Sequence, residues 1–173
     1  MPSTESSVPE LEILMGGIAF GEQPRWHEGR LWFSDWGPAE VVAVDLEGNS
    51  EVILQAPSFP CCVDWLSDGR LLVVAGREGL LLSREADGSL VTYADLNRLS
   101  DPAAGNELVV DGRGNAYVNG GGFDLMAGEE FAPGVVALVT AAGLGARDHR
   151  GTGARGRSRA FHLPVPWARV YRV

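Results

Sequence analysis

The chain contains no lysine, and all 14 of its basic side chains are arginines. Residues 1–140 hold 22 Asp and Glu against 7 Arg, a balance of −15, whereas residues 141–173 hold one acid and 7 Arg, a balance of +6. Binding to nucleic acid requires arginine and lysine clustered on a folded face. The acidic body therefore argues against nucleic acid as the main partner and fits a protein that handles small molecules or cations.

The chain also lacks a long apolar run and has little cysteine. Its start, MPSTESSVPELEILMGG, has neither a basic segment nor an apolar stretch long enough for a signal peptide or a membrane span. We therefore expect a cytoplasmic protein without a membrane partner. Cys61 and Cys62 are adjacent, a spacing that rarely forms a disulfide, and no CxxC motif or nearby histidine accompanies them. We interpret both as reduced, buried thiols.

The apolar residues do not recur at the spacing of an amphipathic helix. Instead, a short sequence motif is repeated. RWHEGRLWFSD at 25–35 is echoed by DWLSDGRLLVV at 64–74 and more loosely by VVDGRGNAYV at 109–118. The turn glycines of these segments, Gly29, Gly69 and Gly112, are 40 and 43 residues apart. Between them VVAVDLEGNSEVIL and LLLSREADGSLVTY form a second set, with Gly48 and Gly88 again 40 apart. Two hairpin signals in each unit predict four short strands.

A period of about 40 to 45 residues with four strands is typical of a β-propeller blade. Two other folds fit less well. A β-sandwich need not repeat its sequence motifs at a fixed spacing, and an α/β fold requires helices. The prediction is therefore an all-β, propeller-like fold. The repeats stop after about three blades, and closed propellers have at least four. We expect an open arc with exposed strand edges, unless the chain assembles with something else.

Two other groups of residues are predicted to be structural. Ser34, Asp35 and His27 do not form a catalytic triad, because no nucleophile elbow surrounds the serine and one hairpin scatters the three over its faces. Four tryptophans are predicted to fill the core between blades, because basic residues are not interleaved with them. They are Trp26, Trp32, Trp36 and Trp65.

Several motifs in order resemble the senescence-marker-protein, gluconolactonase and luciferin-regenerating family. They are GEQPRW, GRLWFSDW, FPCCVDWLSDGRLLV, DGSLVTYADL and NELVVDGRGNAYV, within residues 14–139. The resemblance implies a six-bladed propeller of about twice this length. It also implies one divalent metal at the mouth of a central channel and the opening of lactones or related esters. The chain would then be a partial six-bladed propeller of about three four-stranded blades.

The resemblance also assigns site residues. Glu22 matches the family's carboxylate metal ligand, and Asn106 matches an asparagine that faces the metal-bound water or the substrate, followed here by Glu107 where the family usually has Asp. Asp124 matches a weaker, second substrate contact. The alternatives are a turn-capping carboxylate at Glu22 and a loop-shaping amide at Asn106. The family's other metal ligands fall in blades that this chain lacks.

The implied function is a metal-dependent hydrolase of lactones or esters, truncated and impaired. The resemblance implies Ca²⁺ first, with Mg²⁺, Mn²⁺ or Zn²⁺ as other candidates, and we expect binding to be weakened because hard cations need six to eight oxygens. The alternative is a non-catalytic fragment that self-associates through open blade edges. Measurements of catalytic turnover and of oligomeric state distinguish the impaired hydrolase from the non-catalytic fragment.

The composition changes near residue 140. Of residues 141–160, fifteen are Ala, Gly or Arg. The predicted organisation is an N-terminal segment at 1–13, a partial propeller at 14–140, and a basic, irregular and disordered tail at 141–173, with a single added strand within 161–173. One hypothesis is a shift of reading frame in a GC-rich gene. The other is an authentic basic tail that binds an acidic partner or nucleic acid.

Overall fold

The computed structural model describes residues 12–97, 104–120, 122–124, 127–132, 134–140 and 160–161. These residues form β-strands joined by turns and loops. The strands are β1 (Gly21–His27), β2 (Arg30–Asp35), β3 (Glu40–Val44), β4 (Ser50–Gln55), β5 (Cys61–Trp65), β6 (Leu71–Ala75), β7 (Leu80–Arg84), β8 (Leu90–Asp95), β9 (Ala104–Val110), β10 (Ala116–Gly120), β11 (Val135–Val139) and β12 (Ala160–Phe161). Within the described part of the chain, no helix could cross a membrane.

The strands form three antiparallel sheets in chain order. Sheet 1 is β1 to β4, sheet 2 is β5 to β8, and sheet 3 is β9 to β11 with the two residues of β12 at its outer edge. The predicted all-β repeat of four-stranded units is confirmed. Of the predicted tail, residues 141–159 and 162–173 lie outside the described residues, so its predicted disorder remains a prediction.

Four hairpin turns share one geometry. Each turn comprises five residues, at 45–49, 66–70, 85–89 and 111–115. In each, the N–H of the first residue donates to the carbonyl of the fifth, and the N–H of the fourth donates to the carbonyl of the first. The fourth residue is a glycine with φ between +75° and +86°, a conformation that glycine adopts at little cost. In the third repeat this residue is Gly114, so the choice of Gly112 as the equivalent turn glycine was wrong.

When the repeats are aligned on these glycines, alternate residues of each middle strand face opposite neighbouring sheets. Leu71 and Val73 on β6 face sheet 1, whereas Leu72 and Val74 face sheet 3. All five residues of β6 are buried. The run LLVVA is apolar throughout because sheet 2 is covered on both faces, as expected of a strand without a solvent face.

Two apolar clusters join the three sheets. Trp32, Val41 and Ala43 of sheet 1 pack with Val63, Leu71, Val73, Ala75 and Leu82 of sheet 2. On the other face of sheet 2, Cys62, Leu72, Val74 and Leu81 pack with Leu108, Ala116, Val118, Ala137 and Val139 of sheet 3. Sheet 2 is therefore the middle layer, and sheets 1 and 3 each have one face turned away from it.

The tryptophans divide between these layers. Trp32 and Trp65 lie in the cluster between sheets 1 and 2, and Trp36 packs against the cluster between sheets 2 and 3, as predicted. The prediction for Trp26 was wrong, because it is 58% exposed. Trp26 pairs with Leu31, whose side chain faces away from sheet 2. The local pattern of Trp26 is that of a core residue, but none of the described strands packs over it.

Candidate functional site

Glu22 and Asn106 lie near the starts of the innermost strands of sheets 1 and 3. Between them is Cys62 on β5, whose thiol donates a hydrogen bond to the main-chain carbonyl of Asn106. Burial is the main cause that raises the pKa of the Cys62 thiol; Cys61, Glu107 and Glu22 raise it further, and the Arg25 charge lowers it. The structure thus places both predicted residues at the same end of the innermost strands, beside one buried thiol. We call this end the hub.

Glu22 is half-buried and pairs with Ser34 across the first hairpin. Asn106 is half-buried within β9, so it lies on a strand and not in a loop. The side chain of the following residue, Glu107, accepts a hydrogen bond from the Asn119 amide at 3.2 Å. Asn106 therefore enters the hub on a paired strand, which limits the directions that its amide can take.

Gln23 ties the three innermost strands together. Its φ is +50°, its side chain is only 6% exposed, and it occupies a bulge between Glu22 and Arg25. The amide oxygen accepts the Val63 N–H of β5 at 2.9 Å, and the amide nitrogen donates to the Leu108 carbonyl of β9. The bulge next to Glu22 is thereby fixed to both neighbouring sheets.

Arg25 and Asp64 form a second tie one step further from the hub. The Arg25 guanidinium donates to the Leu108 carbonyl at 2.8 Å and lies 3.8 Å from the Asp64 carboxylate. Asp64 also accepts the Val110 N–H at 2.7 Å. Backbone groups of β9 that a neighbouring strand does not pair are thus satisfied by side chains from sheets 1 and 2, as buried polar groups require.

Asp35, dismissed above as a triad member, holds the chain that leads into Glu22. Its buried carboxylate accepts three backbone N–H groups, those of Ala19 (2.9 Å), Phe20 (2.8 Å) and Gly37 (3.2 Å). Burial alone would raise the pKa of Asp35, but these three donors together lower it below its ordinary value. Asp35 is therefore a charged anchor for the start of β1.

The position of Asn106 also depends on the close approach of the backbone at Gly105, the residue before it, to the backbone at Gly76. A Cβ built on Gly105 would lie 2.8 Å from the Cα of Gly76, and a Cβ on Gly76 would overlap the Gly105 carbonyl oxygen and the Pro60 ring. Real Cβ atoms are not found this close to backbone. Glycine is required at both positions if β9 is to pass the end of β6 at this distance.

The triad of Ser34, Asp35 and His27 is excluded by register, as the sequence predicts. Ser34 lies opposite Glu22, whereas His27 lies opposite Arg30 at the far end of the same hairpin. The His27 ring stacks on Trp65 with centroids 3.8 Å apart. The Ser34 hydroxyl is buried and makes no regular hydrogen bond within the described residues. Burial raises the pKa of the neighbouring Cys61 thiol, and the Ser34 hydroxyl lowers it by a smaller amount.

Asp124 lies in the loop between β10 and β11. Its carboxylate accepts the Ala127 N–H at 3.0 Å, and its own N–H donates to Glu129 at 2.8 Å. These bonds stay within the loop, and the residue is exposed. Within the described residues, these two bonds do not connect Asp124 to the network that joins Glu22 to Asn106.

The donors at the hub do not by themselves fit a divalent cation. Glu22 supplies one carboxylate and Asn106 one amide, and the described residues contain no group of three or more His, Cys, Asp or Glu that could hold a metal ion. Hard cations take six to eight oxygen ligands, several of them from the protein. Cys61 and Cys62 cannot act there as a pair of ligands, because successive strand residues face opposite sides of the sheet.

Residues 20–147 match the SMP-30/gluconolactonase/LRE-like region. Among solved structures, the fold is similar to a gluconolactonase of Xanthomonas campestris, at 19% identity and a TM-score of 0.54, covering 75% of this chain and 46% of that one. It is also similar to virginiamycin B lyase of Staphylococcus aureus, at 14% identity and a TM-score of 0.52, covering 86% and 43%. No curated protein matches the sequence. The chain thus spans less than half the length of these similar structures.

Proposed function

The chain belongs to the SMP-30/gluconolactonase/LRE-like family, and on that premise we propose that it carries part of a metal-dependent site for hydrolysing lactones or related esters. The observation that supports this proposal is geometric: Glu22 precedes the Gln23 bulge that is tied to β5 and β9, and the main-chain carbonyl of Asn106 on β9 accepts a hydrogen bond from Cys62 on β5. Similarity to gluconolactonases is the second support. We also propose that the chain acts in the cytoplasm.

The chain's own residues would act on the substrate more than on a cation. The Asn106 amide can donate to a substrate hydroxyl and accept from another group at the same time. The Glu22 carboxylate offers oxygens to a cation or accepts from a substrate hydroxyl. Because one carboxylate and one amide do not complete a cation's ligands, we propose weak binding of Ca²⁺, Mg²⁺, Mn²⁺ or Zn²⁺ and an impaired rate of hydrolysis.

The test is hydrolysis of a sugar lactone and of an aromatic ester by the purified full chain, with each of the four cations and with EDTA. Glu22→Gln keeps the size of the side chain and removes its charge. Glu28→Gln is the matched control, because Glu28 lies in the exposed turn of the same hairpin. We expect slow, cation-dependent turnover that Glu22→Gln abolishes and Glu28→Gln leaves unchanged. Equal rates for wild type and Glu22→Gln would count against the proposal.

The second candidate function is that of a non-catalytic propeller fragment that self-associates through open blade edges. One observation favours it. Val109 and Tyr117 on sheet 3 are 52% and 37% exposed, although their neighbours on the other face are buried. A mass that rises with concentration in light scattering, together with no hydrolysis under any of the conditions above, would support this second function.

A further inference from the structure

Three aromatic rings follow one another at the hub end of sheets 1 and 2. Phe20 and Trp36 meet edge to face with their ring centroids 5.5 Å apart, and Phe59 meets Trp36 in the same way at 4.9 Å. We call these three rings the aromatic rim. All three belong to residues 12–97, which the structure describes without a gap. The rim therefore lies in the middle of the described chain, where sheets 1 and 2 meet.

The backbone places Phe20 on the same side of sheet 1 as Glu22. The Trp36 N–H donates to the Phe20 carbonyl at 2.9 Å, which extends the pairing of β1 and β2 by one residue beyond Gly21. A Cβ built on Gly21 would lie 3.7 Å from the Phe33 ring, which faces away from sheet 2. Since successive strand residues face opposite sides, Phe20 and Glu22 both face the other way. Two residues along a strand span about 7 Å, so one small bicyclic molecule can contact both side chains.

The rings of the rim are fixed by hydrogen bonds and packing. The Asp35 carboxylate accepts the Phe20 N–H at 2.8 Å, and the Trp36 indole N–H donates to the Cys61 carbonyl at 2.7 Å. Trp36 also packs against the apolar cluster that contains Cys62 of the hub. Because the rim is ordered without a ligand, little conformational entropy is lost there on binding.

The rim is only partly covered by the chain. Phe20 is 55% exposed, and Trp36 and Phe59 are half-buried. Small-molecule sites are lined mostly by apolar and aromatic side chains, with a few polar groups that fix the orientation of the ligand. The rim and the neighbouring Glu22 have this composition.

The polar groups of the rim are already used within the protein. The Trp36 N–H is bonded to the Cys61 carbonyl, and the Asp35 carboxylate accepts three backbone N–H groups. A sugar lactone carries several hydroxyl groups, and each one that leaves water needs a hydrogen-bond partner. An aromatic lactone presents an apolar face and one ester group. The rim therefore matches an aromatic ring better than a sugar ring.

We propose that the aromatic rim binds the substrate and selects aromatic lactones and esters over sugar lactones. Resting on the proposed function, the aromatic ring of the substrate packs on Phe20 and Trp36, and its ester group lies toward Glu22. Aromatic rings gain from edge-to-face or offset contact in addition to the burial of apolar area. Phe20 and Trp36 thus determine specificity, whereas the chemistry belongs to the hub.

The test is the binding of two hydrolytically stable lactams to the purified full chain, because binding can then be measured without turnover. Dihydroquinolinone is the lactam analogue of an aromatic lactone, and gluconolactam is the lactam analogue of a sugar lactone. Isothermal titration calorimetry measures both dissociation constants. We expect dihydroquinolinone to bind about tenfold more tightly than gluconolactam, or better.

Substitutions at Phe20 test whether the rim is the binding surface. Phe20→Ala removes one ring and keeps its backbone bonds, so the affinity for dihydroquinolinone should fall about fivefold or more. Phe20→Leu keeps apolar bulk without a ring and should give an intermediate loss, and it serves as the test if Phe20→Ala does not fold. Trp26→Ala is the matched control, because Trp26 is a 58% exposed ring at the other end of β1. Circular dichroism of each variant reports whether the fold persists.

Four results would each overturn the proposal. They are equal affinities for the two lactams, tighter binding of gluconolactam, wild-type affinity for dihydroquinolinone in both Phe20 variants, and no binding of either lactam. The last result is expected if a segment of the chain itself covers the rim. An equal loss of affinity in Trp26→Ala would also count against the rim.

Binding and hydrolysis separate the two proposals. Dihydroquinolinone binding that depends on Phe20, without hydrolysis of any lactone or ester, would leave the rim standing and count against the proposed function. Cation-dependent hydrolysis of a sugar lactone in preference to an aromatic ester would support the proposed function and overturn the selectivity assigned to the rim.

Discussion

The middle strands of sheets 2 and 3 are built from equivalent positions and have different surroundings. On β6, Leu72 and Val73 are both fully buried, because sheets lie on both sides. On β10, Val118 is fully buried but Tyr117 is partly exposed, because within the described residues sheet 3 has a neighbouring sheet on one side only. The comparison shows that the second face of a sheet is buried where a neighbouring sheet packs on it, and that the sheet's own sequence does not bury it.

The largest effect should come from cutting Leu72 and Tyr117 back to alanine. Leu72→Ala leaves a cavity in a fully packed cluster and should lower the free energy of unfolding by about 2–5 kcal/mol. Tyr117→Ala should cost about 1 kcal/mol or less in the monomer, because its ring is partly exposed. Urea unfolding of both variants at low protein concentration measures the comparison. Equal losses would show that sheet 3 is covered on both faces even in the monomer.

Most of the fold was predictable because it depends on local signals. Alternating apolar residues and Gly-containing turns act over two to five residues, so the hairpins and their period could be seen directly. Trp26 shows the limit. Its local pattern is that of a buried strand residue, and only the absence of a sheet over it in the described structure leaves it exposed.

The candidate site was predictable only in part. The resemblance indicated Glu22 and Asn106, and the structure places both at the hub. No pattern singled out Gln23 or Arg25, because their partner Leu108 is more than 80 residues away in the chain. Such ties depend on the distance between innermost strands of different sheets, which a repeat of about 40 residues does not encode.

The junction of sheets 2 and 3 can be tested directly at Gly76. Gly76→Ala places a Cβ on the Gly105 carbonyl and Pro60, so the strands must separate, which should cost about 1–3 kcal/mol. Gly112→Ala is the control, because nothing lies within 4 Å of the added Cβ. Chemical unfolding reports both values. If the two variants proved equally stable, sheets 2 and 3 would not meet as closely as the structure shows.

The hydrogen bonds that join all three sheets can be tested at Gln23. Gln23→Leu preserves the bulk of the side chain and leaves the Val63 N–H and the Leu108 carbonyl without this partner, which should cost about 1–3 kcal/mol. Gln55→Leu is the matched control. Gln55 also bonds backbone carbonyls, but it is exposed, so water replaces the lost bonds. Hydrogen exchange should increase at the Val63 amide in the first variant only.

The smallest effect concerns a position at which the three sheets differ. The last residue of the second strand is Asp35 in sheet 1, Ala75 in sheet 2 and Gly120 in sheet 3. Of these three residues only Asp35 is charged, and its carboxylate anchors the segment that precedes β1 through the Ala19 and Phe20 N–H groups.

The pH dependence of stability should reveal this anchor. Because the pKa of Asp35 is lowered by folding, its contribution is fully present above the unfolded value of about 3.9 and is lost as pH falls through the folded pKa. Asp35→Asn keeps an acceptor but has no charge to lose. Stability of wild type relative to Asp35→Asn should therefore be constant above about pH 5 and should decline below pH 4. A constant difference across both ranges would mean that the three N–H groups contribute no preference for the ionised carboxylate, and that the segment before Glu22 is held by packing alone.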